Sequence, residues 1–152
     1  RCKILESVFA ELLPKQTISH AMVLVEWAPW VIHTDYLNNN DKNPASAVLI
    51  PYTDENTHTL IFNEECTVEG RRIVEETFPD IHNGVTRAEY EQYLDHCRWE
   101  TVQKVSMDEI YKWNRGTGVV WDRRRLHSSD NFQKNGVNKK IALTMFTEHV
   151  AD

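Results

Sequence analysis

The sequence predicts a mainly β domain of the sandwich or jelly-roll kind, and three observations predict it. About seven or eight short apolar runs follow one another at hairpin-like spacing, separated by turn-forming residues. Helix signals are confined to the N-terminus and the middle of the chain. The 152 residues are enough for one domain with a sizeable core, and 41% apolar with 26% charged residues is an ordinary globular balance. A single domain over residues 1–152 is therefore expected, flanked by helices and carrying one helical insertion.

Residues 3–13 place Ile4, Leu5, Val8, Phe9, Leu12 and Leu13 at helical spacing, and Pro14 closes the segment. His20 to Trp27, dense in Val, Leu and Met, reads as a buried strand. Ala28-Pro29-Trp30 interrupts it, and Val31 to Tyr36 resumes in extended form. The Asn38–Asn43 stretch with Pro44 is a polar loop. Ala45 to Tyr52 and His58 to Phe62 read as two strands joined by a turn, and so as a hairpin. From Asn63 to Glu100 the chain turns acidic and loses strand periodicity. Thr86-x-x-Glu89 there is a capping box, followed by Tyr90, Tyr93, Leu94 and Cys97 at helical spacing. This stretch is too short for a core of its own, so it is an insertion. Its aromatics, Phe78, Tyr90, Tyr93 and Trp99, are expected to pack the helix onto the barrel more readily than to meet a substrate. Thr101 to Trp113 is ambiguous, since Ser106-x-x-Glu109 could open a helical turn. Asn114 to Gly118 is a turn, Val119 to Leu126 a strand ending at His127, and Ser128 to Asn138 a polar turn-rich stretch. Ile141 to Phe146 is the last strand.

The net charge of −6 argues against broad binding to a phosphate backbone, so no nucleic acid is expected. Arg123-Arg124-Arg125 is too short to reverse that; it fits a solvated strand face as well as a site for an acidic group. No apolar run approaches a membrane span. Cys2, Cys66 and Cys97 are odd in number and lack a C-x-x-C spacing, so a reducing, cytoplasmic setting is expected. Arg1 in place of an initiator Met fits a fragment or a processed product.

His33-Thr34-Asp35 carries the chemistry. Residues two apart in an extended chain point to the same side, so one imidazole and one carboxylate project together. His127, at the end of a distant strand, is the candidate third ligand. Two histidines and a carboxylate on one face of an ion leave the opposite face open, the donor set of non-haem Fe(II) oxygenases. His33 alone would read as a surface or core histidine; the joint occurrence favours a metal. His20 and His149 fit less well, His82 and His96 lie in the insertion, and His58 reads as structural. Lys140 begins the last strand and shares a face with Ala142, Thr144 and Phe146. A basic residue there can pair with a carboxylate in the barrel, although lysines near strand ends are commonly exposed. Lys139 points the other way.

The blocks His33-Thr34-Asp35, Trp113 through His127-Ser128-Ser129, and Lys140 through Phe146 resemble the Fe(II)- and 2-oxoglutarate-dependent oxygenases, closest to the prolyl-hydroxylase-like and phytanoyl-CoA-hydroxylase-like branches. The resemblance covers the chain from about Met22 to Phe146 apart from the insertion. It implies a double-stranded β-helix, the jelly-roll, cupin-like barrel. It also implies that His33, Asp35 and His127 hold Fe(II), and that Lys140 binds the distal carboxylate of the cosubstrate 2-oxoglutarate. Lys140 and Thr144 keep the family's offset between a basic residue and a Thr or Ser. Tyr52 matches a position where some relatives place a tyrosine on the same carboxylate. Many relatives use Arg where this chain has Lys, and the basic residue stands further from the distal His than is usual.

The implied function is hydroxylation of a C–H bond using molecular oxygen, with release of succinate and carbon dioxide. Trp30 and Tyr36 are candidate substrate contacts, with Trp27 and the loop and insertion beside them. The substrate, small molecule or peptide, is not legible. Two rivals stand beside this reading. A cupin-like metal enzyme without 2-oxoglutarate would have no need of Lys140, and a non-catalytic jelly-roll binding module would turn over no cosubstrate.

Overall fold

The computed structural model describes residues 3–35, 43–66 and 84–150. Tyr36, residues 38–42, and Phe78 and His82 of the insertion lie outside the described residues. The elements in chain order are α1 (Lys3–Leu12), β1 (Gln16–Glu26), β2 (Pro44–Pro51) and β3 (His58–Glu65). A short helical segment follows, α2 (Arg87–Glu89), which widens into a π-helical turn over Tyr90–Leu94, and then α3 (Trp99–Val102). The chain ends with β4 (Met107–Lys112), β5 (Val119–Asp122), β6 (Arg125–Ser129) and β7 (Lys140–His149). The expected mainly β architecture is present. Among the described residues, no helix is long and apolar enough to cross a membrane.

The strands form two antiparallel sheets, ordered β1-β7-β2-β5 and β4-β3-β6. Period-two alternation sends one side of each strand into the space between the sheets. Ala47 and Leu49 of β2, Ile61 of β3, Trp121 of β5 and Ala142 and Phe146 of β7 meet there with Trp113. The outer face of the first sheet is covered by α1, where Phe9 packs on Val48 and Met145. The outer face of the second is covered by the helical segment, where Leu94, Cys97, Val102 and Val105 pack on Leu60, Phe62 and Leu126.

The capping box is present as expected: Thr86 Oγ1 accepts from the Glu89 N–H, and the Glu89 carboxylate accepts from the Thr86 N–H. Tyr90 and Tyr93 lie partly buried against the Leu94 cluster, as the packing reading of those aromatics expects.

Three expectations are corrected, and the ambiguity over residues 101–113 is resolved. β2 and β3 are not a hairpin. β2 pairs with β5 and β7, β3 with β4 and β6, so the turn between them carries the chain from one sheet to the other. A hairpin would have put both apolar strands in one layer; the crossing lets Leu49 and Ile61 face one another. The single strand expected over 119–126 breaks in two. Asp122 accepts hydrogen bonds from the backbone N–H and the Nε of Arg124, both at 2.9 Å, and this local clamp turns the chain into the second sheet. β1 is an edge strand rather than a buried one, with Val23 and Val25 exposed. Ser106-x-x-Glu109 opens no helix: Ser106 donates to the Glu64 carboxylate through its N–H (2.9 Å) and Oγ (2.8 Å), and β4 follows.

Candidate metal centre

The backbone brings the two histidines together before any side chain acts. The 31–35 segment is not a full strand, but it bridges to β6 at one point. There His33 N–H donates to the His127 carbonyl and His127 N–H to the His33 carbonyl, each at 2.9 Å. In such a reciprocal antiparallel pair the two side chains stand on the same side, with Cα atoms about 5.5 Å apart. The imidazole centroids are 4.3 Å apart. Two residues on, Asp35 N–H donates to the Arg123 carbonyl at 3.1 Å, and the Asp35 carboxylate returns to the side of His33.

The ring tautomers follow from the hydrogen bonds. His33 Nδ1 lies 2.7 Å from the Val31 carbonyl and His127 Nδ1 lies 3.2 Å from the Arg125 carbonyl. A carbonyl only accepts, so each Nδ1 carries the proton. Each Nε2 is thereby left unprotonated and turned toward Asp35, the orientation in which a histidine could bind a metal. His127 Nε2 is 3.2 Å from one Asp35 oxygen and His33 Nε2 is 4.0 Å from the other. One ligand atom from each of the three residues lies within 4.8 Å of the others. Ligand bonds of about 2.0–2.2 Å can be met from one point among them with small adjustments. Imidazole with carboxylate suits a first-row divalent ion such as iron, manganese or zinc.

The electrostatics fit a cation. Burial pushes the Asp35 carboxyl up. The His127 and His33 rings and the Arg123 guanidinium together outweigh burial and bring it below the ordinary carboxylate value. Burial disfavours a charged His127, but the Asp35 carboxylate and the Arg125 carbonyl outweigh it and raise its pKa. The centre therefore concentrates negative charge against imidazoles that a metal ion could take in place of a proton.

The triad lies on the wall of a cavity of about 430 Å³ between the sheets. Apolar side chains, among them Met22, Leu24, Leu49 and Phe146, make much of its wall. Among the described residues six buried side-chain polar atoms have no hydrogen-bond partner on the chain. Four of these belong to cavity-lining residues: Glu26 Oε2, Thr34 Oγ1, Trp121 Nε1 and Thr144 Oγ1. Thr34, Trp121 and Thr144 thereby offer the cavity hydrogen-bonding groups that a polar ligand could use.

Lys140 lines the same cavity and is 1% exposed. Its ammonium is 2.9 Å from Glu26 Oε2 and lies over the rings of Trp113 (4.4 Å) and Phe132 (5.0 Å). Glu26 Oε2 therefore has a close charge partner in Lys140. Burial pushes the Lys140 pKa down, against the pull of the Glu26 and Asp130 carboxylates. Thr144 lines the cavity as expected, and so does Trp30, 48% exposed, with its ring 5.4 Å from that of His33. Lys139 is exposed and lies over the Trp27 ring, clear of the cavity.

Tyr52 is not brought to the site. It is 62% exposed and does not line the cavity. It shares a strand face with Val48 and Ile50, the face turned to α1, whereas Leu49 and Pro51 point the other way. His58 Nδ1 donates to the buried Asp130 carboxylate (2.9 Å), and His96 Nε2 lies 3.1 Å from the Trp30 carbonyl, so both have structural partners. Glu26 and Trp121 went unrecognised in the sequence, and Arg123 was weighed only as part of a short basic run. Glu26 is a lone carboxylate closing an apolar strand, a signal that was there to be read. Arg123 is buried and donates to the Asp35 carbonyl through Nε (3.2 Å) and Nη2 (2.9 Å).

No protein-family model matches this chain, and no curated protein matches it.

Proposed function

We propose that this chain is an Fe(II)- and 2-oxoglutarate-dependent dioxygenase that hydroxylates a C–H bond of a small-molecule or peptide substrate. The observation that carries the reading is a two-histidine, one-carboxylate set on the wall of a cavity that also holds a buried ammonium. The strand order supports it. With the 31–35 segment taken as a strand of the second sheet beside β6, successive segments alternate between the two sheets except at β3 and β4, which are neighbours in the second sheet, a pattern close to that of a double-stranded jelly roll.

His33 and His127 would offer Nε2 and Asp35 a carboxylate oxygen to the ion, with three positions left for ligands. Bound iron would supply the chemistry that couples oxidative decarboxylation of 2-oxoglutarate to hydroxylation of the substrate, one atom of dioxygen ending in succinate, released with carbon dioxide, and the other in the hydroxylated product. The protein's part is to position and to exclude water. Lys140 supplies the positive charge for the cosubstrate's distal carboxylate. Thr144 Oγ1 and Trp121 Nε1 are hydrogen-bonding groups without partners on the chain. Met22, Leu24, Leu49 and Phe146 keep the walls apolar. Trp30, half exposed beside His33, is the side chain first met by a substrate.

Anaerobic addition of Fe(II) and 2-oxoglutarate should produce a weak visible charge-transfer band, and oxygen should then yield succinate. Both signals should vanish in His33→Ala and Asp35→Ala. Lys140→Ala should weaken 2-oxoglutarate binding and spare the metal, while Lys139→Ala changes little. A second reading, a cupin-like metal enzyme without 2-oxoglutarate, is favoured by one observation: Lys140 already has a carboxylate partner in Glu26. Metal binding with no band and no succinate would select it. No metal binding at all would leave a non-catalytic binding module.

A further inference from the structure

Glu26 and Lys140 are cross-strand partners at the ends of β1 and β7, and both face the cavity. Both are buried, Glu26 at 7% exposure and Lys140 at 1%. The ammonium has an aromatic ring on two sides and one carboxylate oxygen at 2.9 Å. Glu26 therefore neutralises Lys140 through one close carboxylate oxygen.

We propose that Glu26 is an internal rival of the cosubstrate, its carboxylate standing against the Lys140 ammonium where a ligand's carboxylate must come. A ligand carboxylate that enters with Glu26 still in place puts two negative charges on one buried cation. Entry therefore requires Glu26 to give up the contact, and Glu26 sets how tightly the cavity accepts a carboxylate. Glu26 is a specificity-determining residue: it excludes weak monocarboxylates and admits ligands that bring further contacts of their own. The inference rests on the oxygenase reading only in taking Lys140 as the partner of a ligand carboxylate.

Glutarate tests it, because it carries the distal carboxylate and lacks the keto acid that needs a metal. The full chain is titrated with glutarate by calorimetry, as wild type, Glu26→Gln, Glu26→Asp and Glu26→Gln/Lys140→Met. Glu26→Gln keeps the shape and removes the charge, and should lower the Kd about tenfold or more. Glu26→Asp retracts the charge by one methylene and should give a smaller gain, which serves should the Gln variant unfold. The double variant should lose the gain, since no ammonium remains. Equal or weaker binding in Glu26→Gln and Glu26→Asp overturns the proposal, weaker binding meaning that Glu26 supports the lysine. The oxygenase reading fails separately, through absence of succinate from the wild type, and the glutarate comparison does not depend on that assay.

Discussion

Each imidazole of the centre is oriented by a carbonyl two residues before it in the chain, Val31 for His33 and Arg125 for His127. The carboxylate ligand has a different support. Arg123 holds the Asp35 carbonyl with two N–H groups, and its guanidinium lies 4.8 Å from the Phe146 ring. Arg123→Met should leave the strands in place and weaken metal binding by roughly 10–100-fold, as the loss of an orienting contact does. Competitive titration with Mn(II) followed by electron paramagnetic resonance measures it; an unchanged affinity would show that Asp35 needs no such support. Cys97 gives a second prediction at this scale. Burial among Leu94, Val102 and Leu126 pushes its thiol up to about 11, from an ordinary 9.0. The folded state keeps a proton that the unfolded chain releases, so stability should fall as pH rises between those values. Alkylation of Cys97 at pH 8 should be slower than that of the half-exposed Cys66, read by peptide mass spectrometry.

The start of the helical segment is held against its own end by a close backbone approach. A Cβ at Gly84 would stand 2.1 Å from the Gln103 carbonyl oxygen, and backbone cannot yield as a side chain can. The neighbouring Val85 N–H donates to the Val105 carbonyl at 2.8 Å, which fixes the approach. Gly84→Ala should therefore cost about 2–4 kcal/mol in urea unfolding, the range of strained or overpacked sites. A loss under 0.5 kcal/mol would mean that the segment shifts freely. Elements were legible where local chemistry decided them: Pro14 after an amphipathic run, Thr86 with Glu89, and the alternation around Lys140. The break of 119–126 was not legible, because an apolar run of that length reads as one strand until Asp122 is seen clamping Arg124. Nor was the crossing between β2 and β3, since a turn between two apolar strands has the same composition whether it closes a hairpin or bridges two layers.

The meeting of His33, Asp35 and His127 is a property of the whole molecule. His33 and His127 meet only after β6 has paired with β3 and the 31–35 segment has docked on β6. The unfolded chain has no such site, so a divalent ion should stabilise the fold by about 2.7 kcal/mol at a hundred times its Kd. Denaturation midpoints with and without Mn(II) or Zn(II) measure this, and the shift should vanish in His127→Ala while His58→Ala keeps it. A metal-independent midpoint in the wild type would refute the centre.

The sequence by itself determined the mainly β class, the capping box and the face shared by Lys140, Thr144 and Phe146, and it singled out His33, Asp35 and His127, which the fold brings together. These follow from periodicity and residue chemistry, which act over a few positions. Only the tertiary structure decided that Tyr52 faces away, that β2 and β3 part company, and that Glu26 stands against Lys140. Those outcomes depend on which distant strands pair and in what register, and a shift of one residue in register exchanges the two faces of a strand.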